Sequence, residues 1–257
     1  MPTIIDPSSS PVLVTGAVRR IGRAVAERFA QSGRPVVLHG HTHSAEAMTL
    51  TVKDIVAAGG RAAFVLADLG DPVATDEVVA RSAEFFGPPV LLVNNASIFE
   101  VDTAFDFTNE RFDRHLAVNL RAPVQLARAF AAALPDSRRG SIINFIDQRV
   151  WRLTPQFFTY TLAKAGLWAA TQTLAQAYAP RIRVNAVGPG PVLPNEMLDV
   201  AAFEHETRHV LLESAVPLSQ IVEAVVYLDG AESVTGQMIA VDSGQHLMWR
   251  TPDVDVG

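Results

Sequence analysis

The sequence predicts an α/β fold: one domain built on a doubly wound parallel sheet of about seven strands, with helices on both faces. Three observations predict it. Short, continuous apolar runs recur along the whole chain, where a half-solvated strand would alternate. Helix-like segments lie between most of these runs, the order of a parallel sheet joined by crossovers. No repeat, low-complexity tract or linker divides the 257 residues, so 1–257 is expected to form a single domain.

The first apolar run is Val12-Leu13-Val14, ending at Thr15-Gly16. A helical pattern of Ile21, Ala24, Val25 and Phe29 follows. Gly33-Arg34-Pro35 then leads into Val36-Val37-Leu38, which predicts that strand two ends at Leu38. Further runs are Ala63 to Leu66, Val90 to Val93, Ile142 to Ile146, Ile182 to Val184 and Met238 to Val241. Long helical patterns span Phe112 to Ala133 and Gln156 to Ala179; the second is free of Pro and Gly except Gly166. Pro189 to Ser214 reads as a Pro-rich loop and a helical pair. An insertion there, at about 189–214, is expected to cap the ligand crevice.

Hydrophobic residues make up 49% and charged ones 19%, which allows a large core and argues against disorder. A net charge of -6 argues against a general nucleic-acid surface. The absence of cysteine excludes disulfides, thiol nucleophiles and Cys-based zinc or iron–sulfur sites, and fits a reducing compartment. Met1 to Ser10 has no basic segment followed by an apolar run, and no apolar stretch is long enough to span a bilayer. A soluble, cytoplasmic protein without nucleic-acid or membrane partners is expected.

Tyr160 and Lys164 fall one turn apart on one face of the second long helix. A phenol titrates near ~10, too high for ready proton exchange at neutral pH. A fixed ammonium nearby favours the phenolate, so the pair is suited to proton transfer. The turn Thr15-Gly16-Ala17-Val18-Arg19-Arg20-Ile21-Gly22 joins the first strand to the first helix. A glycine there lets the chain turn against a phosphate, and the helix offers free N–H groups and a positive dipole end. After strand two comes His39-Gly40-His41-Thr42-His43-Ser44, without the acid that usually binds the ribose of NAD. With Arg19, His39 and Ser44 nearby, a 2′-phosphate is better accommodated, which points to NADP(H). The alternating histidines have metal-ligand spacing, but no Asp or Glu stands beside them, so no metal is expected. Asp68-Leu69 closes strand three near the adenine, and Asn94-Asn95-Ala96-Ser97-Ile98-Phe99 follows strand four. Asn119 lies mid-helix, where a useful polar contact would justify it.

These elements together resemble the short-chain dehydrogenase/reductase family. The matching set is Thr15-Gly16…Gly22, Asp68-Leu69, Asn94-Asn95-Ala96, Asn119, Tyr160…Lys164, Asn185 to Gly190 and Val234-Thr235-Gly236…Val241-Asp242, in the family's order over nearly the whole chain. The resemblance implies a Rossmann-type domain and a nicotinamide cofactor, whose site would take in Gly16, Arg19, Arg20, Ile21, Gly22, His39, Ser44, Asp68, Leu69, Asn95, Ala96, Ser97, Pro189 and Gly190. It implies Tyr160 as proton relay, Lys164 holding the nicotinamide ribose and lowering the tyrosine's pKa, and Asn119 holding a water on the proton path. It also implies a homotetramer, with Ala122, Ala127, Ala131, Leu167, Ala170 and Leu174 offered for a two-fold interface.

Two departures narrow the resemblance. Arg20 replaces the middle glycine of the turn, and Asp147 replaces the usual serine thirteen residues before the tyrosine. Both are similar to the pteridine reductases; Asn195-Glu196 and Gly244-Gln245-His246-Leu247 are similar to dihydromonapterin and dihydrofolate reductases of this fold. A ketone reductase benefits from a serine hydroxyl donating to the developing alkoxide. A pteridine C=N instead needs a proton on ring nitrogen, and its amino-pyrimidine edge suits an acidic group. A pteridine substrate would therefore meet Arg20, Ser97, Phe99 as a stacking face, Asp147 and Tyr160. The competing readings are a general NADP-dependent carbonyl reductase or alcohol dehydrogenase, and a nucleotide sensor without catalysis. The intact Tyr160, Lys164 and Asn119 argue against the sensor. The missing arginine after strand two, Val192 and Asp242-Ser243-Gly244 depart from the pattern, and the tail after Leu247 is unexplained by it.

Overall fold

The computed structural model describes residues 10–194 and 200–249. Seven strands form one sheet: β1 (Val12–Val14), β2 (Val36–Gly40), β3 (Ala62–Leu66), β4 (Leu91–Asn94), β5 (Gly140–Phe145), β6 (Ile182–Pro189) and β7 (Met238–Val241). All neighbours are parallel, in the order β3-β2-β1-β4-β5-β6-β7. The order reverses between β1 and β4, and at such a point a crevice opens beyond the strands' carboxyl ends. The helices are α1 (Arg20–Gln31), α2 (Ala45–Ala57), α3 (Pro72–Phe86), α4 (Asn109–Leu116), α5 (Ala122–Ala133), α6 (Phe158–Tyr178), α7 (Val200–Arg208) and α8 (Leu218–Gly230).

Successive strand side chains point to opposite faces, and helices cover both. Val12, Val14, Leu38 and Val93 pack with Val25 and Phe29 of α1 and Val225 of α8. Leu13, Val37, Leu92 and Ile142 pack on the other face with Val78 of α3, Leu126 and Phe130 of α5 and Ala175 of α6. Burial on both faces is why the strands read as unbroken apolar runs.

Several boundaries differ from expectation. β2 runs past Leu38 to Gly40 because His39 and Gly40 pair with Val65 and Leu66. β6 runs past Val184 to Pro189, paired along β7 from Ala186 onward. Polar and small residues hide these extensions from an apolar pattern, whereas a neighbour's backbone supplies the pairing. The helix expected at Phe112 starts earlier, at Asn109, where Thr108 Oγ1 accepts from the Arg111 N–H at 3.2 Å. It reaches Ala133 through a π-helical stretch, Ala117–Arg121, that contains Asn119. Between Pro189 and Ser214 the described residues hold one helix, α7, not a pair, and Asn195 and Glu196 lie outside them. Ala122, Ala127 and Leu167, offered for a subunit interface, are 0%, 0% and 1% exposed and belong to the protomer's own core. Among the described residues no helix is long and apolar enough to cross a membrane.

Candidate active site

The turn after β1 leaves no room for a side chain at Gly16 or Gly22. Gly16 has φ +63°, and a Cβ there would lie 2.8 Å from the Ala96 Cα. A Cβ on Gly22 would lie 2.4 Å from the Gly16 carbonyl oxygen. Asn95 Nδ2 donates to the carbonyls of Thr15 and Gly16 at 2.9 and 3.0 Å. Thr15 Oγ1 accepts from the N–H groups of Asn95 and Ala96, both at 3.0 Å. Beyond the turn, α1 has no side-chain cap at Arg19 and no acid in its first turn. The positive dipole end of α1, with no carboxylate beside it, suits an anion.

A cavity of about 1210 Å³ lies against this turn. Gly16, Arg19, Arg20, Ile21, Gly22, His39, Ser44, Asp68, Leu69, Asn95, Ala96 and Ser97 all line it. Its volume, the two glycines and the uncapped helix end fit a dinucleotide with its phosphates on α1. Pro189 and Gly190 are not among its lining residues; Gly190 is explained by packing, since a Cβ there would lie 2.5 Å from the Asp242 Cα. His41 and Ile98, from the tracts after β2 and β4, line the cavity as well, and so do Arg114 and Arg121, which had no signal in the sequence. Chain crossings, not spacing, bring the two arginines there.

His39 corrects an expectation. Its ring is 3% exposed, with Nδ1 accepting from the Gly16 N–H at 3.4 Å and Nε2 3.2 Å from the Ala67 carbonyl. Burial lowers its pKa to about 4, so it is a neutral brace and no cation for a 2′-phosphate. Arg19 is the cation of that group. Ser44 Oγ donates to the His41 carbonyl at 2.7 Å, and Asp68 accepts from the Gly70 N–H at 2.8 Å. Arg20 has φ +54°, a conformation that suits glycine, and donates to the Pro194 and Leu193 carbonyls at 2.6 and 3.2 Å. The common family glycine at this position is thereby explained, and so is what the arginine does in its place.

The end of β5 and the first turns of α6 bring the reactive groups together. Tyr160 Oη donates to Asp147 Oδ2 at 3.0 Å, and Lys164 Nζ donates to the Phe145 carbonyl at 2.8 Å. Burial, and then the Asp147 charge, push the Tyr160 pKa well above the usual phenol value. Lys164 does not outweigh them, so the expected lowering is not found in this structure. Burial pulls Lys164 itself down to about 8, with Asp147 opposing. Tyr160 is thus held protonated, the state a proton donor needs. Asn119 is fully buried: Oδ1 accepts from the Ile98 N–H at 2.9 Å and Ser97 Oγ at 3.1 Å, and Nδ2 donates to the Ile98 carbonyl at 2.9 Å. Those bonds set the Ser97 loop beside the phenol.

Arg149 was missed, although it stands two residues after Asp147. Its backbone N–H donates to Asp147 Oδ1 at 2.8 Å, and its guanidinium lies 3.2 Å from Oδ2. It also lies over the rings of Phe157 and Phe99, at 4.9 and 5.7 Å. Phe99 stacks on Phe157 at 4.4 Å, so the face expected to meet substrate is covered by a second aromatic ring in this structure. Tyr160 meets Phe99 edge-on at 4.7 Å.

Comparison with known proteins agrees with this geometry. A family model described as enoyl-(acyl carrier protein) reductase matches residues 16–246. An L-rhamnose 1-dehydrogenase (NAD(P)(+)) from Azotobacter vinelandii is 35% identical over 91% of this chain and 95% of its own. This chain is a short-chain dehydrogenase/reductase. Among solved structures of that family, FolM alternative dihydrofolate reductase 1 from Brucella suis, in complex with NADP, superposes with a TM-score of 0.93. It is 46% identical, over 97% of this chain and 100% of that one. A blue fluorescent protein from a metagenomic library, in complex with NADPH, has a TM-score of 0.85 and 30% identity over 91% and 97%. The chain is an oxidoreductase of this family.

Proposed function

We propose that this oxidoreductase uses NADP(H) and reduces a pteridine, of the dihydropterin or dihydrofolate class, with Tyr160 as proton donor. One observation carries the reading: at the place of the usual serine, a carboxylate accepts the phenol's hydrogen bond at 3.0 Å. Asp147 accepts from both the phenol and the Arg149 guanidinium through Oδ2, where a serine hydroxyl would donate to a carbonyl oxygen, so it does not replace the serine's function. It orients the phenol instead, and presents an acceptor suited to an amino-pyrimidine edge. Similarity to a dihydrofolate reductase of Brucella suis supports the same substrate class.

A bound nicotinamide supplies the hydride. The chain's residues do the rest. The α1 N-terminus and Arg19 bind phosphate, and Lys164 holds the nicotinamide ribose. Tyr160 Oη gives its proton to ring nitrogen, and Arg20, Ser97 and Phe99 shape the substrate side. The loop held by Arg20, with α7, caps the crevice. The enzyme is a homotetramer in this proposal, with Ala131, Ala170 and Leu174 still partly open on α5 and α6; a monomer in light scattering would overturn that part.

NADPH oxidation across dihydrobiopterin, dihydromonapterin, dihydrofolate and a panel of ketones and sugars tests the substrate. The highest kcat/KM is expected for one of the first three, and for NADPH over NADH. Ketone or sugar turnover exceeding every pterin would replace this reading with general carbonyl chemistry, which the rhamnose dehydrogenase similarity would then support.

A further inference from the structure

His115, Thr159 and Asp102 form a buried polar chain against the back of Tyr160, and nothing in the chemistry above uses it. Their exposures are 0%, 1% and 1%. The Thr159 N–H donates to Asp102 Oδ1 at 3.1 Å, and Thr159 Oγ1 donates to Asp102 Oδ2. The Asp102 carbonyl also accepts from the Phe158 N–H at 3.3 Å. His115 Nδ1 lies 2.7 Å from Thr159 Oγ1, and its ring meets the Tyr160 ring edge-on at 6.0 Å.

Each link follows from a local need. The residue before α6, Phe157, has φ +55° and offers no side-chain cap. The first N–H groups of α6 therefore need an acceptor from elsewhere, and Asp102 supplies one. The helix dipole makes that end a favourable place for a carboxylate. The single hydroxyl proton of Thr159 goes to Asp102, so the hydroxyl oxygen is an acceptor toward His115. That assigns the imidazole proton to Nδ1.

We infer that the Asp102–Thr159–His115 chain is a positioning device that sets Tyr160 against Asp147 and Asn119. The three links come from the three segments that carry the site. Asp102 lies in the β4–α4 loop that also bears Ser97 and Phe99, His115 lies in the last turn of α4 four residues before Asn119, and Thr159 precedes Tyr160 on α6. Hydrogen bonds at fixed lengths between them leave little freedom for Asn119 and Tyr160 to slide apart. A small misplacement of a proton donor is enough to slow catalysis markedly. The inference rests on Tyr160 being the proton donor and not on which substrate receives the proton.

The test uses the full chain and whichever substrate the wild type reduces best, so absence of pterin turnover would count against the substrate reading alone. Thr159→Val removes the central hydroxyl at constant shape, and His115→Leu removes the outer link while leaving Asp102 on the helix. Each is expected to lower kcat about 10- to 100-fold, raise the solvent deuterium isotope effect on kcat, and leave NADPH Kd within about twofold. Thr159→Ser and His115→Asn, which keep the hydroxyl and the donor, should restore most of the rate. In a Tyr160→Phe background, His115→Leu should have no further effect on kcat, because both act through one group. If Thr159→Val does not fold, His115→Leu carries the test. Unchanged kcat and isotope effect in a folded His115→Leu variant would overturn the inference, as would a full additional loss in the Tyr160→Phe background.

Discussion

Asp147 Oδ2 accepts a hydrogen bond from Tyr160 Oη at 3.0 Å while Asp147 Oδ1 accepts from the Arg149 backbone N–H at 2.8 Å. One carboxylate therefore serves a turn with one oxygen and the reactive phenol with the other. Capping the turn and holding the phenol are not alternatives at this position.

That division makes Asp147→Ser informative, because serine keeps a capping oxygen and removes only the carboxylate. Dihydropterin kcat/KM is expected to fall while stability changes by about 1 kcal/mol or less. Tyr160→Phe should lower kcat by ~10²–10⁴-fold with NADPH affinity retained. Steady-state kinetics with NADPH titration measures both, and unchanged dihydropterin kinetics in folded Asp147→Ser would remove its role.

Arg149 opposes the rise in the Tyr160 pKa. Arg149→Met should make the phenol a weaker acid and lower kcat about tenfold, with Arg149→Lys in between. If rates in Arg149→Met match wild type, the guanidinium acts on the aromatic rings alone.

Arg20→Gly restores the residue that suits φ +54° and releases the Leu193 and Pro194 carbonyls. Substrate KM should rise about tenfold, the worth of one charged hydrogen bond. Thermal stability should hold, since relief of backbone strain offsets the lost contact. A lower melting temperature with unchanged KM would show the clamp to be structural only.

The alkaline limb of kcat/KM should report Lys164, whose pKa is about 8, because Tyr160 titrates well above the phenol range. Deprotonation removes the cation, so kcat/KM falls as pH rises through about 8. A limb that stays flat to pH ~10, the ordinary phenol range, would contradict this.

His39 gives the fold an acid sensitivity. Its folded pKa is about 4 against 6.5 in the unfolded chain, so between those values the unfolded state binds more protons. Its contribution is present above pH 6.5 and is lost as pH falls toward 4, by up to about 3 kcal/mol. Urea titrations at pH ~7 and ~4.5 should show this loss in the wild type, and less of it in His39→Gln. An equal loss in both would assign the sensitivity to other groups.

The architecture was legible in the sequence because it rests on burial. Strands covered on both faces must be apolar throughout, and α6 carries Tyr160 and Lys164 at helical spacing, so runs and periods identify them. The turn after β1 was legible because Gly16 and Gly22 answer a steric demand within eight residues. Neither kind of signal reaches across the chain. That His39 is neutral, that Arg20 clasps Leu193 and Pro194, and that Asp102 caps α6 from 57 residues before Thr159 are consequences of packing. The acidity of Tyr160 belongs with them. Spacing places an ammonium one turn away, but burial and the carboxylate of Asp147 decide the sign of the shift, and only the tertiary structure sets the dielectric and the distances on which that sign depends.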